Sequence, residues 1–311
     1  MSPLSTMATG RAHLVVGGDG LIGSGVVEWL TARGERVYAT TRRPEKVGPM
    51  HPFLDLKQNV NDWELPEPVE TVFICAGATR MQDCEERPDE TALVNVVNPG
   101  TIAAKLVARG AFIVGLSSNA VFDGTVGYRK VGDPHSPLTQ YGRQQGASEK
   151  GLLAIGSNVA VVRFAKVLSP TLPVFGGWLQ ALAAGEPIRP LIDLTMAPLP
   201  RPFIVELIGR VGMARRTGMF QASGAADIPY SEAGRILVEQ VGLPATLCRP
   251  ATAEELGIQL LPSLRHTTLD MTESRNAFSI EPPTIEEAMR FLASNFQPAM
   301  KGRETLAQRI I

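Results

Sequence analysis

Cysteine is scarce, with Cys75, Cys84 and Cys248 the only three in 311 residues. An odd, scattered trio builds neither a disulfide framework nor a thiolate zinc site, and it suits a reducing compartment. The four histidines, at positions 13, 51, 135 and 266, show no ligand spacing, so no metal is assigned. Neither sign of charge is in excess: 30 basic against 31 acidic residues leave a net charge of −1. That balance offers nothing to nucleic acid or an anionic membrane, and it points to small-molecule partners. Long apolar runs are missing too, none nearing the roughly 20 residues that span a bilayer. Met1 to Gly10 lacks the basic and apolar regions of a signal peptide. The expectation is a cytoplasmic protein, free of membrane, with a loose tail over residues 1–10 and another over 297–311.

What the chain does have is a glycine-dense turn between a short apolar run and a helical pattern, His13 to Gly25 followed by Val26-Val27-Glu28-Trp29-Leu30. Glycines in such a turn allow positive φ, remove side chains between backbone and ligand, and let helix and strand pack closely. The helix start, at Leu21 and Ile22, then turns its free N–H groups toward an anion such as a dinucleotide pyrophosphate. The spacing reads as Gly18-x-Gly20-x-x-Gly23 or as Gly17-x-x-Gly20-x-x-Gly23. A second strand, Glu35 to Thr41, closes a βαβ unit and ends in Thr40-Thr41-Arg42-Arg43 without a carboxylate. A carboxylate there bonds a ribose 2′-hydroxyl, whereas arginine accommodates a 2′-phosphate, so NADP(H) is preferred over NAD(H). Solvated loop charges are the plainer reading of Arg42 and Arg43.

Phe53-Leu54-Asp55-Leu56 reads as a strand end whose Asp55 carboxylate can meet an adenine amine, or as a surface loop. Val69 to Ala78 is a buried-type strand running into Ala76, Gly77 and Ala78, small residues suited to face a cofactor. A crossover helix follows, carrying a lone polar Asn95 and interrupted or bent near Pro99-Gly100. The next strand, Ala111 to Leu116, delivers Ser117, Ser118, Asn119 and Ala120 to the carboxyl edge of a parallel sheet, where ligands bind. Tyr141 opens a further helix, and Val159 to Phe164 forms a strand interrupted by Arg163. After Leu168 prolines multiply and helices shorten, marking excursions into a smaller lobe. The fold expected is α/β, a doubly wound, Rossmann-like parallel sheet. Residues 11–168 form its dinucleotide-binding core, and 169–296 return to that core and build a smaller C-terminal substrate lobe.

The turn at Gly17–Gly23, Ser117-Ser118 before Val121-Phe122-Asp123-Gly124, Tyr141-Gly142 and the late Leu269-Asp270 together resemble the extended short-chain dehydrogenase/reductases, in particular the dTDP-4-dehydrorhamnose reductase branch. The resemblance runs from about Ala12 to Leu292 and implies a reductase of a 4-keto nucleotide sugar, with room for a homodimer. It maps the catalytic hydroxyl onto Ser118 and the tyrosine of a Tyr-x-x-x-Lys pair onto Tyr141. Arg163 falls on an arginine following the penultimate strand and is expected, with Asn119 and Ala120, to bind substrate; Asp193 with Ala197-Pro198 resembles a substrate-lobe segment, and Arg265 matches a position near substrate phosphates. The lysine position is Gln145, a neutral amide placed with the cofactor-binding residues. A phenol ordinarily near pKa 10 needs a nearby positive charge to become a useful base at neutral pH. Lys166, where relatives place a substrate-lining residue, is the candidate for that charge, with a phosphate-binding or solvated lysine as the alternative. Asn119-Ala120 replaces the acidic pair of sugar dehydratases, which disfavours dehydration. A sugar-nucleotide epimerase and a silent dinucleotide-binding regulator, like the methionine adenosyltransferase subunit of the same branch, stay open.

Overall fold

The computed structural model describes residues 12–65 and 67–298. The expected tails lie outside the described residues, apart from positions 297 and 298. β1 (Ala12–Val16) runs into α1 (Leu21–Thr31) and returns as β2 (Arg36–Ala39), followed by β3 (Thr71–Ile74). α2 (Met81–Glu86), α3 (Pro88–Ala92) and α4 (Asn98–Ala108) lead to β4 (Phe112–Ser118), and α5 (Gln140–Leu153) to β5 (Val159–Phe164). Then come β6 (Val167–Leu168), α6 (Pro173–Ala183), β7 (Thr195–Met196), β8 (Leu199–Pro200) and α7 (Arg201–Met213). β9 (Gly218–Ala222), β10 (Ile228–Pro229), α8 (Tyr230–Gln240), α9 (Thr272–Phe278) and α10 (Ile285–Ala293) complete the described chain.

Six strands form one parallel sheet in the order β2-β1-β3-β4-β5-β9. Because β2 and β3 flank β1, the connections leave in opposite directions there, opening a crevice at the carboxyl ends of β1 and β3. Both sheet faces are covered, so the strands are apolar on both sides rather than alternating. On one face Val15, Phe73, Val114 and Val162 meet Val26 and Leu30 of α1 and Ile204, Leu207 and Ile208 of α7. On the other, Leu14, Val72, Ile113 and Val161 meet Ile102 and Leu106 of α4 and Leu152 of α5. A separate apolar cluster, with Phe175, Trp178, Tyr230, Leu237, Met289 and Leu292, holds the smaller lobe together.

Several expectations change in detail. The strand expected at residues 53–56 is reduced to a single parallel bridge between Thr41 and Phe53, because Pro52 has no N–H and Asp55 turns the chain by accepting from the Lys57 N–H at 3.1 Å. The crossover helix is interrupted near Pro99-Gly100, as expected, by a π-helical segment at Leu93–Val97 that accommodates the missing proline donor. Residues 88–108 are thereby a 21-residue helical stretch that is apolar and long enough to cross a membrane by composition, contrary to the count of apolar runs. Its Ile102, Ala103 and Leu106 are buried in the core beside the sheet, and Asn98 Nδ2 donates to the carbonyls of Leu56 and Gln58 at 2.7 and 2.9 Å. α8 starts at Tyr230 with Pro229 at its N-cap.

Candidate functional site

The glycine turn forms the first wall of the site. Gly17 has φ 85°, and a Cβ there would lie 2.8 Å from Ala76. A Cβ on Gly23 would lie 2.1 Å from the Gly17 carbonyl oxygen, so strand end and helix start meet backbone to backbone. Gly20 is the α1 N-cap and offers no capping side chain, which leaves the first N–H groups of the helix open to the crevice. Thr40, not singled out from sequence, accepts the Gly17 N–H at 2.8 Å. Only its place at a strand end beside a glycine turn could have signalled it.

A cavity of about 550 Å³ continues from this turn, lined by Gly17, Gly20, Arg42, Arg43, Asp55, Leu56, Ala76, Gly77 and Ala78 among others. Arg42 forms no ion pair with any described residue, whereas Arg43 Nε sits 4.0 Å from Asp19. Thr41, expected with Arg42 and Arg43 at the cofactor, lines the neighbouring cavity beside Gly18 and Asp19. Its hydroxyl donates to Asp19, whose other oxygen takes Lys46 Nζ at 2.8 Å. Burial pushes the Asp19 carboxyl up, but the hydrogen bonds from Lys46 and Thr41 outweigh it and hold the group below its usual range. Asn95 anchors the opposite wall: its Oδ1 accepts the Ala78 N–H at 2.7 Å, and its Nδ2 donates to the Ala78 carbonyl at 3.0 Å and to Gln144 Oε1 at 2.8 Å.

The crevice opens into a larger cleft of about 750 Å³ that shares Gly20, Leu21, Ile22, Ala76, Gly77 and Asn95 with the turn and its loop, and adds Ser118, Asn119, Ala120, Tyr141, Gln145 and Lys166. Ser118 ends β4 and accepts the Ala120 N–H at 3.2 Å. Thr139 caps α5 by accepting the Gly142 N–H at 3.1 Å. A Cβ on Gly142 would lie 2.1 Å from the Ala120 carbonyl oxygen, so glycine lets this helix start press onto the turn after Ser118. That contact brings the Tyr141 hydroxyl to Ser118. Burial pushes the Tyr141 phenol up to about 12, while its hydrogen bond with Ser118 pulls the other way. Gln145, one helical turn onward on the same face, is 8% exposed and lines the cleft. Lys150 points to solvent. Burial in the cleft lowers the pKa of Lys166.

Two residues assigned to substrate do not reach it. Arg163 is 1% exposed and lies in the floor: its Nε and Nη2 bond the two Glu149 oxygens at 2.9 and 2.7 Å, and Nη1 donates to Gln221 Oε1 at 2.5 Å. Ser117 also donates to Glu149, and His135 Nε2 lies 2.8 Å from it. Arg163 therefore ties β5 to α5 and β9 from below. Arg265 is exposed and absent from the cleft wall. The roof is instead the segment from Gln259 to Leu264, with Leu194, Thr195 and Tyr230 beside it. Asp227 secures that segment by accepting from the Thr267 and Thr268 N–H groups at 2.8 and 3.2 Å and from both hydroxyls at 2.8 and 3.0 Å. No local spacing in the sequence announces this roof.

Known proteins are similar to this chain. The chain is 27% identical over 293 residues to a probable low-salt glycan biosynthesis reductase of Haloferax volcanii, covering 91% of this chain and 97% of that protein. It is 30% identical over 176 residues to the methionine adenosyltransferase 2 subunit beta of Rattus norvegicus, covering 55% of this chain and 49% of the relative. Among solved structures, a dTDP-4-dehydrorhamnose reductase of Bacillus anthracis in complex with NADP superimposes with a TM-score of 0.78 at 17% identity, covering 92% of this chain and 98% of that one. This likeness shows a common fold. Glycine turn, strand-end serine and helix-borne tyrosine thus face one continuous crevice in a chain whose residues 11–297 match the RmlD substrate binding domain, and the chain belongs to that family.

Proposed function

We propose that this chain is an NADP(H)-dependent reductase of a 4-keto nucleotide sugar or a similar carbonyl substrate. The observation that carries the reading is the meeting of Ser118 and Tyr141 at the carboxyl end of β4, in a cleft continuous with the glycine turn. The turn fits a dinucleotide because Gly20 leaves the α1 N–H groups bare and Gly17 keeps the backbone close to Ala76. Arg42, without an ion-pair partner among the described residues and at the edge of the narrower cavity, suits a 2′-phosphate. The reductase of known structure that holds NADP and the glycan biosynthesis reductase support the same reading.

The nicotinamide supplies hydride chemistry when bound. Ser118 holds the substrate carbonyl oxygen, and the Tyr141 hydroxyl gives that oxygen its proton as negative charge develops there. A phenol held near 12 stays protonated at neutral pH, ready to donate. Gln145 offers an amide to the cofactor ribose in place of an ammonium. Lys166 supplies the positive potential of the cleft from the wall beyond Ser118.

The neutral Gln145, together with the partial match to a methionine adenosyltransferase subunit, favours a second reading in which the protein binds dinucleotide without turnover. Calorimetric titration with NADPH and NADH, followed by NADPH absorbance against a panel of 4-keto nucleotide sugars, separates the two. The reductase reading expects tighter NADPH binding and consumption. Binding with no consumption across the panel supports the silent reading, and failure to bind either cofactor defeats both.

A further inference from the structure

The roof of the cleft hangs from its two ends. Residues 259–265 form no hydrogen bond with any described residue, whereas the chain on either side is densely bonded. At the entry end Ala251 bridges Leu191, Asp193 Oδ2 accepts the Ala253 N–H at 2.8 Å, and Gly257, with φ 64°, ends the short helix Glu254–Leu256. At the exit end Asp227 takes the N–H and hydroxyl of both Thr267 and Thr268, and His266 Nδ1 lies 3.3 Å from it. That end also abuts the loop joining Ser118 to Tyr141. The His266 N–H donates to the Gly124 carbonyl at 2.9 Å, and a Cβ on Gly124 would lie 2.6 Å from Leu264. The two carboxylates share a frame. β7 and β10 pair antiparallel, with Thr195 opposite Pro229 and Met196 opposite Ile228. Asp193 lies just before Thr195 in one strand and Asp227 just before Ile228 in the other, so they stand at opposite ends of this ribbon.

Between those ends Leu260, Leu261 and Leu264 line the cleft but are only half-buried, while Gln259, Pro262, Ser263 and Arg265 are exposed. A segment whose backbone bonds nothing has low local stability, so its ends decide where it lies. Leucines left half-buried gain burial when a substrate fills the cleft beneath them, and their closure expels water from the reacting carbon. We propose that Asp193 and Asp227 are positioning residues that hang the strap 259–265 across the cleft as the cover of the carbonyl substrate. Each acts through the backbone it holds, and neither lines the cleft. The proposal rests on the reductase reading for what is covered, but not for how the strap is held. Asp227 is the stronger post, because one carboxylate there takes four hydrogen bonds where Asp193 takes one.

The test has two readouts on the full chain. Hydrogen exchange read by mass spectrometry needs no substrate: amides of 259–265 exchange fastest, and Asp227→Asn speeds exchange at Thr267 and Thr268 at least about tenfold while β1 and α5 keep their protection. Steady-state turnover with NADPH and the panel of 4-keto nucleotide sugars gives the second. Asp227→Asn raises KM for the sugar about tenfold with kcat within about threefold, and Asp193→Ala and the isosteric Thr268→Val do the same at about threefold. NADPH affinity, measured by calorimetry, stays level in all three variants, which also reports that they are folded. The proposal is overturned if exchange at Thr267 and Thr268 is unchanged in Asp227→Asn, if KM holds, or if NADPH affinity falls as far as KM rises, since the role would then be structural. If exchange changes as stated while the unmodified chain consumes no sugar of the panel, the two posts stand and the reductase reading falls.

Discussion

The two ends of the cleft are built by opposite means. The glycine-turn end is local: Gly17, Gly20 and Gly23 lie within one turn of chain, and each is fixed by a backbone approach that a Cβ would block or by a bare helix start. The substrate end is assembled from Ser118, Tyr141, Lys166, Thr195, Tyr230 and the segment from Gln259 to Leu264, delivered by separate strands, helices and loops. Backbone groups do the work at the first end, side chains at the second. Local spacing can therefore announce the first, whereas the second depends on packing between elements far apart in the chain.

The most damaging way to probe that difference is to remove the floor under the substrate end. Arg163 is buried with four nearby groups, two oxygens of Glu149, Gln221 and His135, arranged around it. Arg163→Met leaves Glu149 as a buried charge with its main partner gone, at a cost of about 3–5 kcal/mol. Urea unfolding should show that loss as a lower midpoint with little change in slope. Were Arg163 instead a substrate ligand, KM would rise and the midpoint would hold.

Next in size is the chemistry itself. Tyr141→Phe keeps the ring that lines the cleft and removes the proton, so turnover should fall about 10²- to 10⁴-fold with the unfolding midpoint nearly unchanged. The sign of the pH dependence follows from the raised phenol. A proton donor held near 12 is fully loaded below that value, so kcat/KM for reduction should show no tyrosine-dependent decline up to about pH 10. Gln145→Lys would place an ammonium one turn away, lower the phenol and bring that decline into the accessible range. A decline already present in the unmodified protein would mean that charge from elsewhere reaches Tyr141.

The same division explains what was legible in the sequence. The parallel sheet was, because five strands with apolar residues on both faces alternate with helices, and the glycine turn marked which strand came first. The strand expected at Phe53 was not, since whether a four-residue apolar stretch pairs at a sheet edge depends on donors that Pro52 lacks and on a turn at Asp55. Ser118 and Tyr141 were legible as a pair in order, but their meeting depends on Gly142 fitting against Ala120, a contact no spacing rule states. Arg163 was misplaced for a related reason. A lone charge in an apolar strand can face a pocket or a buried partner, and here Glu149, on α5, decided it. Tyr230 carried no signal at all, because its function as a wall of the cleft comes from the lobe folding back over the sheet.

The smallest effect tests the local end, where the sequence made its finest claim. Arg42 and Arg43 are adjacent and equal in charge, yet only Arg43 leans on a carboxylate, 4.0 Å from Asp19, which Lys46 and Thr41 already hold. An exposed pair at that distance is weak, so Arg43 is held back rather than removed from the cavity. Arg42 has no such partner among the described residues and borders the cavity directly. Arg42→Ala should weaken NADPH binding about tenfold and NADH binding less than about twofold, with Arg43→Ala giving a smaller difference in the same direction. Calorimetry with both cofactors on both variants reads this directly. If Arg42→Ala weakens both cofactors equally, the guanidinium serves the pyrophosphate or the loop and not the 2′-phosphate. The local end would then owe its cofactor choice to side chains brought from across the cavity, and the contrast with the substrate end would narrow to the glycine turn alone.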